Sequence, residues 1–290
     1  MLNTMPATKN TSKRKQKKAK EREDRVTMAD QSDRHILYQK AVQCVEAEID
    51  FVDETFLALR GRNATLLRED FCGTMNTSCE WIRRRPENRA IGVDLDGEVL
   101  DWGRENNISA LFEDQQDRIN VFQDNVLTVE TERVDALLAM NFSYFIFDDR
   151  KLMRQYFERV RETLVDDGIF FLDCYGGYDS VREIEEEREI NDDFTYVWDQ
   201  DQFNPITHKM QCYIHFHFRD GSKMKRAFEY TWRMWTLPEL RELLEESGFS
   251  KTTVYWEGTD DDSDEGNGEF EATEVGDADP SWVAYIVAEK

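Results

Sequence analysis

Gly73, Asp94, Asp124 and Asn141 recur at intervals that would let them act on one ligand. Gly73 stands in Glu69-Asp70-Phe71-Cys72-Gly73-Thr74-Met75, just past a short apolar run. A glycine there lets a backbone N–H come close to a ligand, and the N-terminus of a following helix favours negative charge. Asp94 lies twenty-one residues further on and closes Ala90-Ile91-Gly92-Val93-Asp94. A carboxylate at that spacing accepts hydrogen bonds from both hydroxyls of a ribose. Asp124 follows Ile119-Asn120-Val121-Phe122, where an acid suits an adenine amino group, and Asn141 follows the apolar run 134–140. Each alone is also an ordinary turn residue. At successive strand ends, the four together favour a nucleoside-bearing ligand.

The elements that must position them are legible from periodicity. Short apolar segments at 65–69, 90–94, 119–122, 134–140 and 169–172 read as strands, the fourth buried on both faces. Helical patterns separate them. Thr77-Ser78-Cys79-Glu80 has capping-box spacing, Asp96 is an N-cap for a helix through Asn106, and 149–164 carries Leu152, Met153, Tyr156, Phe157, Val160 and Leu164 on one side. The alternation predicts an α/β fold with a parallel sheet, right-handed crossovers and helices on both faces. Ligands of such sheets bind beyond the carboxyl ends of the strands, where these four residues fall.

Two helices are expected over 33–59, ending near Gly61. After Gly176-Gly177 the rhythm changes. An acidic stretch, 180–189, is expected to be helical, and strands 210–218 and 224–232 flank an Asp220-Gly221 turn as a β-hairpin. A helix resumes at Thr236 with capping-box spacing and closes at Gly248, followed by strands at 252–256 and 282–288. The chain thus divides into a disordered basic tail (1–28), N-terminal helices (29–61), a ligand-binding domain (62–175 with 236–290), an insertion (176–235) and an acidic loop (257–279).

Formal charge is −24, with nine Lys/Arg against three acids in residues 1–25, so those residues carry +6 and the remainder −30. A body this acidic repels a phosphate backbone, which disfavours nucleic acid and leaves small molecules or basic protein segments. The five cysteines are odd in number and form no Cys-x-x-Cys pair, which suits reduced thiols in a cytoplasmic protein. No apolar run reaches membrane-span length, and the first twenty residues lack a secretory apolar core. The basic tail reads as a solvated segment or a nuclear-localisation signal. Oligomeric state is not encoded legibly.

The motifs resemble those of the class I S-adenosylmethionine-dependent methyltransferases, whose first motif is an acid followed by Gly-x-Gly-x-Gly. Aligning Cys72-Gly73-Thr74 puts Glu69 at the family's acid, which helps hold the cofactor's amino group. Asp94, followed by Leu95, matches the ribose acid; Gln123-Asp124-Asn125-Val126 matches the adenine segment; 135–143 matches the fourth-strand motif. The likeness covers 46–172 and returns at 236–287, and Arg68-Glu69-Asp70-Phe71-Cys72-Gly73-Thr74 also looks like one bacterial branch. It implies a Rossmann-like, seven-stranded, mostly parallel sheet with an antiparallel last strand. It further implies S-adenosyl-L-methionine as cofactor and methyl transfer to an unidentified, small-molecule acceptor. The implied cofactor residues are Glu69, Phe71, Cys72, Gly73, Thr74, Asp94, Leu95, Asp124, Asn125, Val126 and Asn141.

Phe71 and Met75 replace the first and third glycines, where positive φ is costly for a side chain. Phe71 either packs on the cofactor or fills the core beneath the loop. These departures leave open a catalytically silent binder acting as a partner subunit. A nucleotide-dependent oxidoreductase is disfavoured, because Gly73 belongs to no Gly-x-Gly-x-x-Gly set.

For the acceptor, Asn141, Ser143 and Tyr144 would rim the transferred methyl, and Tyr175 follows the fifth strand on the same edge. His215 and His217 share one face of a hairpin strand, either solvated or as a base. With only His208 nearby, no zinc site is expected. Trp232 and Trp235 either fill core or wall a pocket for a flat or cationic acceptor. The insertion would cover the acceptor, and the acidic loop is a solvated surface or a lid for a basic one.

Overall fold

A strand covered on both faces needs apolar side chains on both, and that requirement selects the centre of the sheet. The computed structural model describes residues 26–259 and 266–290. Its first strands are β1 (Leu66–Asp70), β2 (Arg89–Asp94), β3 (Ile119–Gln123), β4 (Val134–Ala139) and β5 (Leu164–Gly176). All of β1 and β4 is buried, whereas β3, at the edge, is partly exposed. The five run parallel. Helices α1 (Met28–Gln31), α2 (Arg34–Ala41) and α3 (Val45–Arg60) precede them; α4 (Asn76–Arg84), α5 (Gly97–Asn106), α6 (Glu113–Gln116) and α7 (Arg150–Thr163) lie in the connections. Asp96 and Asp149 cap α5 and α7 through their carboxylates, and Gly61 ends α3 with φ 65°. The Thr77 box does not form: α4 begins at Asn76, with Met75 as an N-cap that makes no side-chain bond, and Thr77 is buried within the helix.

The insertion is a separate four-stranded antiparallel sheet of β6 (Ile184–Ile190), β7 (Phe194–Phe203), β8 (Lys209–Phe218) and β9 (Lys223–Arg233), in that order. The expected hairpin is β8–β9. The acidic stretch is not helical. Ile184 to Ile190 pair residue for residue with β7, and that ladder overrides the helix preference of glutamate. As an edge strand, β6 is also a place where exposed charges discourage further pairing.

The chain returns through α8 (Leu237–Glu246), which Thr236 and Glu239 cap reciprocally, to β10 (Lys251–Thr259), β11 (Gly266–Ala272) and β12 (Trp282–Glu289). The main sheet reads β3-β2-β1-β4-β5-β12-β10-β11, with the last three strands antiparallel to their neighbours. It therefore has eight strands rather than seven. The extra one lies inside the expected acidic loop, where Phe270 gives an apolar anchor against Tyr285 at 4.2 Å between ring centroids. Residues 1–25 of the expected tail and 260–265 of that loop lie outside the described residues.

Helix α2 ties the two sheets together. Leu37 and Ala41 bury against Ile214, Phe216 and Ala227 of the insertion. From the same helix, Gln39 Nε2 donates to Thr74 Oγ1 at 3.0 Å. Asp33, its N-cap, accepts from Trp102 Nε1 of α5 at 2.8 Å. No helix among the described residues is long and apolar enough to cross a membrane.

Candidate functional site

The turn after β1 takes an unusual path. Phe71, Gly73 and Met75 hold φ of 58°, 50° and 57°, so the two side chains adopt the conformation that glycines would take freely. Phe71 rests against Phe147 and Tyr156 at 5.9 and 5.8 Å, which puts its ring on the core side of the turn. Met75 is fully buried and Cys72 nearly so, beside Leu100. Room for them comes from β2: a Cβ at Gly92 would lie 2.9 Å from Cys72 Sγ and 3.0 Å from Met75 Sδ.

Three strand ends converge here. Asp94 Oδ2 accepts from the Gly73 N–H at 2.8 Å and Oδ1 from the Asp96 N–H at 2.9 Å, while its carbonyl accepts from the Asp124 N–H at 3.0 Å. Burial pushes the Asp94 carboxyl up, opposed by those backbone bonds. Leu95 beside it is 62% exposed, an apolar side chain at the open edge. Asp124 is exposed, Asn125 Oδ1 accepts from the Leu127 N–H at 3.0 Å, and Val126 is buried in the core.

Glu69 is bonded to the first turn of α4, the helix that follows the turn. Its carboxylate is buried and accepts from the N–H and hydroxyl of Ser78 at 3.0 and 2.5 Å. Burial drives its pKa up to about 8, with Glu48 of α3 adding repulsion. Burial likewise raises Glu48 to about 7. In the carboxyl-terminal part of β5, buried Asp173 accepts from the N–H groups of Asn141 and Phe142 at 2.6 and 2.9 Å, and burial raises it to about 7. No lysine or arginine bonds to Glu48, Glu69 or Asp173 among the described residues. Sequence reasoning missed Glu48, which only tertiary packing buries, and gave Asp173 no role.

Asn141 and Phe142, with φ of 57° and 55°, form the rim that Asp173 clamps. Ser143 Oγ donates to the Met140 carbonyl at 2.9 Å, and the buried Tyr144 hydroxyl donates to the Asp173 carbonyl at 2.5 Å, so both are spent on the rim itself. Beyond it lies a cavity of about 390 Å³, bounded by Asn141, Phe142 and Tyr175, by Tyr38 of α2, and by the insertion sheet. The insertion contributes Tyr196, Trp198, Tyr230 and Trp232, a set detectable in sequence as aromatics at period two. His215 and His217 sit on the opposite face of β8. His215 engages Asp199 at 3.1 Å and accepts the Arg226 N–H at 2.7 Å through Nδ1, and His217 is 3.6 Å from Glu187. Trp235 is fully buried and donates to the Phe147 carbonyl at 3.1 Å. None of these three lines the cavity. No group of three or more His, Cys, Asp or Glu side chains able to hold a metal occurs among the described residues.

No protein-family model and no curated protein matches the chain. Solved structures do. A S-adenosylmethionine-dependent methyltransferase from Clostridium acetobutylicum matches over 87% of this chain and 96% of its own, with a TM-score of 0.63 at 16% identity. An amino pentose methyltransferase from Micromonospora echinaspora, solved with S-adenosylmethionine bound, covers 88% and 95% at TM-score 0.63 and 14% identity. A sugar N-methyltransferase from Streptoalloteichus covers 100% and 98% at TM-score 0.60 and 13% identity. The fold is that of the class I S-adenosylmethionine-dependent methyltransferases.

Proposed function

We propose that the chain binds S-adenosylmethionine at the carboxyl edge of its main sheet and transfers the methyl group to a small molecule held in the adjoining cavity. The observation that carries this reading is the hydrogen-bonded junction of Gly73, Asp94 and Asp124 at three adjacent strand ends. The residues fit the cofactor's chemistry. Each Asp94 oxygen holds one backbone N–H, and a carboxylate has further lone pairs for a ribose diol. Leu95 offers an exposed apolar surface to adenine. Glu48, Glu69 and Asp173 are buried acids with no basic partner among the described residues, and a ligand carrying sulfonium and ammonium charges would favour their ionised forms. Because Phe71 and Met75 keep the glycine backbone path, the departures from the glycine motif give no steric reason for a silent binder.

When bound, S-adenosylmethionine supplies a methyl carbon made electrophilic by the attached sulfonium. The protein's task is then alignment and exclusion of water. The Asp173 clamp fixes Asn141 and Phe142 at the boundary between the two compartments, and the aromatic walls keep the acceptor side dry. Two of the similar structures are an amino pentose and a sugar N-methyltransferase, which supports a small acceptor.

Calorimetry with S-adenosylmethionine, S-adenosylhomocysteine and NAD tests the donor site: the two sulfur nucleosides bind and NAD does not. Asp94→Ala weakens binding by about 1–3 kcal/mol through loss of charged hydrogen bonds. Wild-type affinity in that variant, or preferential NAD binding, overturns the reading.

A further inference from the structure

The cavity wall also says what kind of acceptor it takes. Strand alternation turns Glu186 and Arg188 of β6, Tyr196 and Trp198 of β7, and Tyr230 and Trp232 of β9 to the cavity side of the insertion sheet. Trp198 lies 6.0 Å from both Tyr230 and Trp232, which are 4.5 Å apart, so the three rings form one continuous aromatic surface. Tyr38 faces it from α2. The wall already hosts one cation at its outer end: the Arg188 guanidinium sits 5.6 Å from the Tyr196 ring centroid. That guanidinium is committed, since it also donates to the Ala41 carbonyl. Glu186 is different. It is exposed on this face and makes no ion pair or hydrogen bond among the described residues, whereas its neighbour Glu187 turns to the other face and meets His217.

Aromatic faces attract cations, and a carboxylate at the rim adds to that preference. An alcohol gains neither effect, and an acid meets repulsion from Glu186. On these grounds, and resting on the methyl-transfer reading above, we propose that the acceptor is an amine, captured as its ammonium by the Trp198–Tyr230–Trp232 wall and Glu186. The bound ammonium first loses one proton to solvent at the cavity mouth. The nitrogen lone pair then forms the new C–N bond while the C–S bond breaks and its electron pair stays on sulfur. Positive charge passes from sulfur to nitrogen, so the methylated ammonium is again complementary to the wall.

Benzylamine, benzyl alcohol and benzoate share a ring and differ in charge. Titrated into the full chain with S-adenosylhomocysteine present and followed by tryptophan fluorescence, benzylamine is expected to bind about tenfold more tightly than benzyl alcohol, with benzoate weakest. Glu186→Gln, at an exposed position that folding does not depend on, reduces the amine preference severalfold. Trp198→Ala removes more of it and Trp198→Phe restores part, while calorimetric affinity for S-adenosylhomocysteine is unchanged in all three. Equal binding of the alcohol or the acid, or a preference untouched by every substitution, overturns the amine assignment. Failure of S-adenosylhomocysteine to bind the wild-type chain instead overturns the donor reading and the transfer to nitrogen with it, leaving the charge selectivity of the cavity as measured.

Discussion

Met75 sits at a φ that costs a side-chain-bearing residue about 1–2 kcal/mol, yet it is fully buried. Removing a buried methionine costs about 2–5 kcal/mol, more than the strain it relieves. Met75→Gly, which restores the usual glycine, should therefore destabilise the chain by about 1–3 kcal/mol, read as a lower urea midpoint. A raised midpoint would mean that strain dominates. Gly92→Ala should be damaging in the wild type and partly relieved when combined with Met75→Gly, because the methionine is one of the two side chains the new methyl would strike, Cys72 being the other. This interplay explains which part of the site was legible. Gly73 and Asp94 stand out in sequence because strand-end spacing is local. The compensation between Met75 and Gly92 spans two strands and appears only when they pair. For the same reason the buried acids Glu48 and Asp173 gave no sequence signal of their own: burial depends on what packs above them.

Among the elements, periodicity located β1 to β5, α5 and α7, where local preference and final environment agree. It misread 180–189 because glutamates read as helix formers until β7 offers a ladder to pair with. It left β11 inside a loop because one phenylalanine among acids is too sparse a pattern to count as a strand. Helix α2 shows where element-scale stability resides. It is only eight residues long and is held by packing rather than by intrinsic preference. Leu37→Ala should cost about 2–3 kcal/mol and lower the thermal midpoint, as expected of a leucine 6% exposed between helix and insertion. An unchanged midpoint would mean that the helix contributes nothing to holding the two sheets together.

Over the whole molecule, charge sets the response to conditions. Glu48, Glu69 and Asp173 have folded-state pKa values raised from 4.5, 4.5 and 3.8 to about 7, 8 and 7. Between those limits the folded chain holds more protons than the unfolded one, so stability falls as pH rises. The ligand-free urea midpoint should drop between about pH 4.5 and pH 8 and level off above, and Glu69→Gln should flatten that drop. Binding of a cationic donor should release protons, so its affinity rises over the same window; calorimetry in buffers of different ionisation enthalpy measures the release. With a net charge of −24, the on-rate for such a ligand should fall as salt is added, seen by stopped-flow fluorescence. Tyr38 and Gln39 are successive residues of α2, one walling the acceptor cavity and the other bonded to Thr74 of the donor turn. A ligand that stills one of them spares its counterpart part of the ordering cost, and linkage makes this favour reciprocal. The two compartments should therefore fill and empty in concert, each occupant lengthening the residence of the other.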